Sequence, residues 1–357
     1  MGYLMSNGIN HVEIDGQKIG PGYPTYIVAE LSANHNGKVE NAIALIHAAK
    51  AAGADAVKLQ TYTPDTITID CAEEPFQIKG GLWGGRTLYD LYQEAYTPWE
   101  WHRRLKDEAD KAGITLFASP FDPSAVDFLA ELGVPAYKIA SFEVVDIPLV
   151  QHIARMGKPI IMSTGMASLA EIDDAVSAIR KQGNEQLVVL HCVSAYPAPA
   201  EEMHLRTIPH LSQAFSVPTG LSDHSHGIAA AVGAVALGAC LIEKHLTLSR
   251  SDGGPDSAFS IEPSELAQLV EDVRTLEKAL GTVRYEVTDE EKKSLPFRRS
   301  LFSVADIKQG EELTENNIRS IRPGNGLQPR YLKDILGLKA SKEIPRGTPL
   351  VWDLLRG

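Results

Sequence analysis

Short apolar runs alternate with longer stretches of helical periodicity over most of the chain, from Thr25 to about Gly281. The apolar runs are rich in β-branched residues and nearly continuous, which is typical of parallel strands buried on both faces. The predicted strands are residues 25–31, 56–60, 115–119, 136–141, 159–164, 187–192, 218–224 and 240–246. Between them, apolar residues at helical spacing predict helices, for example over 39–52, 168–181 and 227–237.

This alternation predicts an α/β fold. Eight strand–helix units fit a closed (β/α)8 TIM barrel better than an open, doubly wound sheet. Glycines follow several predicted helices, among them Gly53, Gly113 and Gly133, where a left-handed residue commonly ends a helix. We therefore expect functional residues at the carboxyl ends of the strands, where the chemistry of such barrels is found.

The pattern changes after residue 282. Residues 283–296 are charged and are predicted to form a linker, whereas short β-like runs alternate with turns over 297–357. The predicted organisation is therefore a barrel catalytic domain over 1–282, the linker, and a small C-terminal domain. A unit of about 60 residues is near the lower limit for independent stability, so we expect it to pack against its own barrel or a partner subunit.

One connection, residues 61–97, is long and rich in glycine and aromatic residues. It follows the second predicted strand, which places it at the C-terminal mouth of the barrel. A surface insertion packed by its own aromatic side chains is the plainer interpretation. We favour a role facing the substrate, because long connections in compact domains are often functional.

Composition narrows the range of partners. With 34 Lys and Arg against 46 Asp and Glu, the formal net charge is −12, which argues against nucleic acid or an anionic membrane as the main partner. An anionic small substrate needs only a local cationic cluster. The sequence carries no apolar run of about 18 residues, and we expect no secretory signal. Its three cysteines show no pairing pattern, so we expect a cytoplasmic protein with reduced thiols.

Polar and charged residues recur at the predicted strand ends. Because side chains alternate along a strand, Lys58 and Gln60 share one face, as do Glu243 and His245. A charged side chain that faced the helices would lack water, so these residues are expected to point into the barrel mouth. The set comprises Glu30, Lys58, Gln60, Ser119, Lys138, Ser141, Glu143, Ser163, Ser222, His224, Glu243 and His245. Each one alone is better explained as a satisfied polar residue, but their recurrence on seven strands favours a site.

Two kinds of chemistry are open to this set. His224 and His245, on neighbouring strands, offer nitrogen ligands suited to Mn²⁺, Zn²⁺, Co²⁺ or Fe²⁺, and they leave positions for water and a substrate oxygen. Two buried, hydrogen-bonded histidines are the alternative. Lys58 and Lys138, with nearby serine hydroxyls, suit a phosphate and a carboxylate. Either lysine is also a candidate for Schiff-base formation with a keto substrate, as in other barrel aldolases.

Ordered motifs along nearly the whole chain resemble the sialic acid synthase family. The segments that carry the resemblance are AELSANHNG (29–37), VKLQTYTPDT (57–66), AYKIASFE (136–143), STGM (163–166), HCVSAYPAP (191–199), GLSDH (220–224), IEKH (242–245), GGPDSAFS (253–260) and SIRPGNG (320–326). The C-terminal part resembles the antifreeze-like (SAF) domain that family members carry. Within the family, YTPDTITID (62–70), KGGLW (79–83) and LYQEAYTPWEW (91–101) are similar to the pseudaminic acid synthase branch.

The resemblance implies a C–C bond-forming transferase that condenses phosphoenolpyruvate with 2,4-diacetamido-2,4,6-trideoxy-β-L-altrose, giving pseudaminic acid and phosphate. N-acetylneuraminate and legionaminate synthases are the alternatives within the family. A non-catalytic carbohydrate-binding protein is the alternative outside it.

The family's residue roles carry over by position. His224 and His245 match metal ligands, with Mn²⁺ as the expected ion and Mg²⁺ or Co²⁺ as other candidates. The positions that match phosphoenolpyruvate contacts are Lys58, Lys138, Ser141, Ser163, Ser194, Tyr196 and Ser222. Those that match polar residues around the sugar and the reacting carbons are Glu30, Gln60, Glu143 and Asp256.

Three further assignments complete the expected site. Ser119, at the end of the third predicted strand, is expected to bind substrate. Glu30 is the first choice for the carboxylate that directs water, with Lys58 and Glu143 as the other catalytic candidates. Arg322 matches an arginine that reaches into the partner subunit's barrel, which implies a homodimer. Ser194 departs from the asparagine of many neuraminate synthases, which fits a different sugar branch.

Overall fold

The computed structural model describes residues 11–356, and these form two compact units that divide between Gly281 and Thr282. The first unit contains the barrel, and the second contains the smaller C-terminal fold. The segment 283–296, which the sequence predicts as a linker, is grouped with the second unit. Within the described part of the chain, no helix is long and apolar enough to cross a membrane.

A short hairpin precedes a closed barrel of eight parallel strands, so the predicted fold class is confirmed. The hairpin consists of β1 (Val12–Ile14) and β2 (Gln17–Ile19). The barrel strands are β3 (Tyr26–Glu30), β4 (Ala56–Thr61), β5 (Thr115–Pro120), β6 (Tyr137–Ile139), β7 (Ile160–Ser163), β8 (Leu187–Cys192), β9 (Thr219–Asp223) and β10 (Leu241–His245). Each barrel strand pairs with the next one along the chain, and β10 closes the barrel on β3.

Helices follow the barrel strands, and most of them cover the outer face of the barrel. They are α1 (Val39–Ala51), α2 (Pro64–Ile67), α3 (Leu88–Ala95), α4 (Trp99–Ala112), α5 (Pro123–Leu132), α6 (Ile147–Arg155), α7 (Leu169–Lys181), α8 (Thr207–Phe215), α9 (Ala229–Ala236) and α10 (Pro263–Leu280). At the start of α7, the side chains of Ser168 and Glu171 each accept the other residue's backbone N–H, which forms a capping box. Helices α4 and α5 end at Gly113 and Gly133, whose φ angles of 67° and 77° favour glycine.

Side-chain alternation along the barrel strands separates an apolar interior from a polar mouth. Near the amino ends, the inward residues Val28, Phe117 and Leu190 form one buried cluster with Val12 and Ile19 of the hairpin. The hairpin, which the sequence analysis did not predict, therefore packs on the barrel interior at its N-terminal end. Further along the strands, the same inward faces become polar as the strands reach the mouth.

The long connection over 61–97 is a partly helical insertion, because it contains α2, α3 and two short 3-10 turns. The Tyr62 ring packs edge-to-face on Tyr92 of the insertion, with 5.6 Å between ring centroids, and on Phe121 beyond it, at 5.2 Å. The Trp83 indole N–H donates to the Pro255 carbonyl at 2.9 Å. The insertion therefore has aromatic packing of its own and lies beside the barrel mouth, and its role toward the substrate stays a prediction.

The second unit is small and has a core of its own. Its strands β11 (Ser300–Ser303), β12 (Ile318–Ile321), β13 (Lys339–Ala340) and β14 (Leu355–Arg356) form two antiparallel pairs. Its helices are α11 (Asp289–Lys292) and α12 (Leu332–Ile335). The core includes Leu301, Ile307, Leu313, Ile318, Ile335, Ile344 and Leu350.

Candidate active site

A cavity of about 490 Å³ lies at the carboxyl ends of the barrel strands. Barrel side chains form its floor, and side chains of the insertion 61–97 form a wall above them. The predicted residues that line it are Lys58, Gln60, Lys138, Ser141, Glu143, Ser163, Tyr196, Ser222, His224, Glu243, His245 and Asp256. The structure therefore brings most of the predicted site together.

Two buried lysines and two buried glutamates form an ionic network at the floor. Lys58 Nζ lies 2.5 Å from Glu30 Oε2 and 2.8 Å from Glu243 Oε1. Lys138 Nζ lies 3.9 Å from Glu243 Oε1, to which the Ser222 hydroxyl donates at 3.2 Å. Burial lowers the pKa of Lys58 to about 8, so this amine still carries its proton at neutral pH. Burial raises the pKa of Glu243, but Lys138 and Lys58 outweigh it and hold that pKa well below its usual range.

Ser141 and Ser194 meet beside Gly165, which follows β7. A Cβ atom on Gly165 would overlap the Ser141 side chain and would lie 2.6 Å from Ser194 Oγ, so only glycine fits. Its φ of 34° also disfavours other residues. Gly165 is not among the predicted site residues, although it lies within the STGM motif (163–166). Its role becomes visible only when hydroxyls from two other connections come together around it.

Several buried polar atoms at the mouth have no hydrogen-bond partner among residues 11–356. They include Ser119 Oγ, Ser163 Oγ, and one carboxylate oxygen each of Glu143 and Glu243. An unpaired buried polar group is unfavourable by about 1–3 kcal/mol. A ligand that carries both acceptors and donors would satisfy these atoms, so this end of the barrel is a candidate binding site.

His224 and His245 lie at the ends of neighbouring strands, and their rings meet edge to face with 5.3 Å between centroids. His224 Nδ1 donates to the Val193 carbonyl at 2.9 Å, which leaves the Nε2 lone pair free for a ligand bond. His245 Nδ1 is buried and has no partner in the described structure. Burial holds the pKa of His245 well below its usual range. A histidine binds a metal ion as a neutral imidazole. A hydrogen bond from its other ring nitrogen to a backbone carbonyl fixes the tautomer that can do so.

No group of three or more His, Cys, Asp or Glu side chains in the described part of the chain is arranged to hold a metal ion. An ion at the histidine pair would therefore have two imidazole ligands from this unit, and its other positions would be open to water or substrate. Open positions are the arrangement expected of a catalytic metal rather than a structural one.

Glu143 and Asp256 supply carboxylates to the cavity from two different connections. Burial raises the pKa of Glu143 to about 7, which suits a group that exchanges a proton near neutral pH. Asp256 accepts from the Ser32 hydroxyl, and the Gln60 side-chain amide donates to the same hydroxyl at 3.4 Å. Ser32, with a φ of 46°, is a polar residue of the site that the sequence analysis missed, although it lies within the quoted segment 29–37.

Three predicted residues, Glu30, Ser119 and Ser194, lie behind or beside the cavity lining, and a fourth, Arg322, belongs to the second unit. Glu30 is fully buried and is paired with Lys58, and its other oxygen accepts from the Ser32 N–H at 2.8 Å. Ser119 lies next to Gln60 in the β4–β5 register, and Ser194 lies beside Gly165. Arg322 is an exposed residue of the second unit, directly after β12.

The fold and the site together define a (β/α)8-barrel enzyme whose mouth carries ammonium groups, hydroxyls and two imidazoles. The chain belongs to the NeuB family, which matches residues 45–285, and residues 298–356 match the SAF domain. Both matches confirm the resemblance to sialic acid synthases and the identity of the small C-terminal domain.

Named relatives fall in the same family. The pseudaminic acid synthase of Campylobacter jejuni subsp. jejuni serotype O:2 is 47% identical over 325 residues, which cover 91% of this chain and 95% of that protein. The N,N'-diacetyllegionaminic acid synthase of the same serotype is 38% identical over 322 residues, covering 89% and 96%. The crystal structure of an N-acetylneuraminic acid synthetase from Leptospira borgpetersenii serovar Hardjo-bovis, in complex with citrate, is 34% identical with a TM-score of 0.72, covering 80% of this chain and 95% of that one.

Proposed function

We propose that this protein is a pseudaminic acid synthase, which condenses phosphoenolpyruvate with 2,4-diacetamido-2,4,6-trideoxy-β-L-altrose and water to give pseudaminic acid and phosphate. The observation that carries the chemistry is the buried set of ammonium and hydroxyl groups around a cavity with unpartnered polar atoms. The choice of sugar is supported by the higher identity to a pseudaminic acid synthase, 47%, than to a legionaminic acid synthase, 38%. N-acetylneuraminate and legionaminate synthesis are the alternatives.

Phosphoenolpyruvate is a phosphate and a carboxylate on three carbons, and the floor matches both groups. We assign its anionic groups to Lys58 and Lys138, with the hydroxyls of Ser141, Ser163 and Ser222 as directed donors. Ser194 and Tyr196 extend this set on the β8 side of the mouth, and Ser119 extends it on the β5 side. Glu30 and Glu243 both pair with the Lys58 ammonium, and Glu243 also lies 3.9 Å from Lys138 Nζ.

The histidine pair fits a divalent cation, and we assign Mn²⁺ to His224 and His245, with Mg²⁺ or Co²⁺ as alternatives. Such an ion, when bound, supplies Lewis acidity toward the sugar's carbonyl oxygen. The hydrogen bond from His224 to Val193 fixes the ring that would hold it.

The remaining steps fall to side chains of this chain. C3 of phosphoenolpyruvate forms the new bond to C1 of the open-chain sugar, water adds to C2, and phosphate leaves. We assign the proton transfers to Glu143, which lines the cavity and whose pKa burial raises to about 7. Glu30, the first choice from the sequence, lies behind Lys58, so we assign it to holding that ammonium in place. We assign Gln60 and Asp256, which line the cavity, to polar groups of the sugar.

A Schiff base on Lys58 is disfavoured by the ion pairs that its amine forms. Lys58 Nζ is paired with two carboxylates and has a pKa of about 8, so it is protonated rather than nucleophilic at neutral pH. Borohydride trapping with a keto substrate would be expected of a Schiff-base aldolase. We expect no such adduct here.

We further propose that the protein is a cytoplasmic homodimer. Its three cysteines, Cys71, Cys192 and Cys240, are unpaired in the structure, which suits a reducing compartment. The exposed Arg322 of the SAF domain is the residue we expect to reach the partner's barrel.

The test is incubation of the protein with phosphoenolpyruvate, Mn²⁺ and a panel of candidate sugars, followed by phosphate release and product mass. The altrose derivative should give the fastest release and a nine-carbon product. Turnover of N-acetylmannosamine or the legionaminic precursor in its place would move the assignment to that branch. Binding of a sugar with no phosphate release from any of them would favour a carbohydrate-binding protein.

A further inference from the structure

The cavity has two chemically different surfaces. Its floor carries the charged and hydroxyl groups described above. Its upper wall, contributed by the insertion 61–97, is aliphatic and is formed by Ile67, Ile78, Leu88, Leu91 and Ala95. We call these five side chains the insertion wall. Aromatic rings of Tyr62, Trp83 and Tyr92 border it.

The insertion wall is held in a defined position. Its helix α3 starts with a cap in which the Thr87 hydroxyl accepts from the Asp90 N–H at 3.0 Å. Leu91 in that helix is buried, with 7% of its surface exposed. The Trp83 indole is hydrogen-bonded to Pro255, next to the cavity residue Asp256. A wall fixed at several points can discriminate between ligands, because it does not rearrange to accept a poor fit.

Aliphatic side chains have a clear preference among the groups that a sugar can present. A hydroxyl pressed against them loses its water and gains no partner, which is unfavourable. A methyl group in the same place gains from burial of apolar surface. The insertion wall therefore favours a sugar that presents methyl groups, rather than hydroxyls, to these side chains.

We propose that the insertion wall determines specificity for deoxy, N-acylated sugars, by taking up the methyl groups of C6 and of the acetamido substituents. This inference rests on the proposed function, in which such a sugar is the second substrate. The wall would exclude a sugar hydroxylated at C6, such as N-acetylmannosamine. It would accept the trideoxy sugars of both the pseudaminic and the legionaminic branch, so it does not depend on the choice between them.

The chain offers two matched pairs of residues for the test. Ile67 lines the cavity, whereas Ile69 in the same segment lies outside the lining and is 56% exposed. Leu88 lines the cavity, whereas Leu82 lies outside it and is 48% exposed. The variants are Ile67→Thr and Leu88→Asn, with Ile69→Thr and Leu82→Asn as their controls. Each substitution adds the same polar group to the same kind of side chain, so only the position differs within a pair.

The measurement is the ratio of kcat/KM for the 2,4-diacetamido-2,4,6-trideoxy sugar to that for its 6-hydroxy analogue, with phosphoenolpyruvate saturating. We expect the unchanged protein to prefer the deoxy sugar by roughly 10- to 100-fold. Ile67→Thr and Leu88→Asn should reduce this ratio by about 5-fold or more, because a polar group at the wall gives the extra hydroxyl a partner. The control variants should keep the ratio of the unchanged protein, and KM for phosphoenolpyruvate should stay the same in all four.

Each other outcome bears on a different claim. If both lining variants keep the original ratio, or lose activity equally toward both sugars, the insertion wall does not set specificity and the inference is overturned. If the unchanged protein releases phosphate with neither sugar, the proposed function fails instead. Thermal unfolding of all four variants separates a lost fold from a changed preference.

Discussion

At the scale of single residues, the site depends on which side chains the barrel strands turn inward. Lys58, Glu243 and His245 lie at inward positions near the strand ends, as alternation along β4 and β10 predicts. Alternation does not say which of them touch. The contact of Lys58 with both Glu30 and Glu243 joins three strands, and it fixes the charge of an amine that the sequence left open as a nucleophile.

The metal assignment makes the first prediction. His224→Ala and His245→Ala should each reduce Mn²⁺-dependent phosphate release by more than about 100-fold, because each would remove a proposed ligand of the ion. Mn²⁺ binding, followed by calorimetry, should weaken in parallel while the circular dichroism spectrum stays unchanged. The surface residue His152, paired with Asp127 at 2.8 Å, provides the control variant His152→Ala. Full activity after treatment with EDTA would refute the metal role.

The raised pKa of Glu143 makes a prediction about pH. Its folded-state pKa of about 7 lies above the ordinary value of 4.5, so its stabilising contribution is complete below about 4.5 and is lost as the pH rises through about 7. Glu143→Gln keeps a neutral side chain at every pH. The Tm of the unchanged protein should therefore fall relative to that of the variant between about pH 5 and about pH 8. Equal pH dependence of the two Tm values would contradict this; the exposed Glu201→Gln is the control.

At the scale of elements, the barrel strands could be predicted from the sequence, whereas the hairpin of β1 and β2 and the helices of the insertion could not. Each barrel strand lies within two residues of its predicted bounds, because a run buried on both faces has a sharp composition. The hairpin of β1 and β2 is short, and its residues alternate too briefly to stand out. The insertion 61–97 gains α2 and α3 from capping residues, while its position follows from contacts such as that between Trp83 and Pro255.

The joint between β9 and β10 makes a prediction about stability. Lys244 Nζ, on the helix-facing side of the barrel, donates to Asp223 Oδ2 at 2.8 Å and to the Ser225 carbonyl at 2.7 Å. Lys244→Met leaves the Asp223 carboxylate buried without its ion partner, so the free energy of unfolding should fall by about 3–5 kcal/mol. Chemical denaturation measures this. The exposed pair Lys292–Asp289 supplies the control Lys292→Met, which should change the free energy by less than about 1 kcal/mol. Equal losses in the two variants would contradict the account.

At the scale of the whole molecule, the question is whether one chain carries a complete site. The barrel and the SAF domain each have their own core. Arg322 is exposed on the smaller unit. We propose that it completes the active site of a partner subunit's barrel. In a symmetric dimer, such a contact would occur twice and each barrel would depend on the other chain.

Arg322→Ala should therefore lower kcat and raise KM for the sugar while leaving phosphoenolpyruvate binding unchanged. Arg319→Ala, an exposed arginine on β12, is the matched control. If Arg322 acts across a dimer, mixing Arg322→Ala with His224→Ala protein and allowing subunit exchange should restore about a quarter of the activity, since half of the dimers would hold one intact site. Unchanged sugar kinetics in Arg322→Ala would refute the role, and no recovery on mixing would refute the exchange across subunits.

The sequence by itself determined the barrel, the small C-terminal domain and most of the residues at the mouth, because periodicity and strand ends are local properties of the chain. The tertiary structure decided which of those residues meet. Only glycine fits at position 165, because Ser141 and Ser194 approach it from other connections. Glu30 lies behind Lys58, because side chains of three neighbouring strands meet there. The insertion wall likewise exists only where α2 and α3 lie against the cavity. Contacts of this kind join residues far apart in the chain, and no local pattern encodes them.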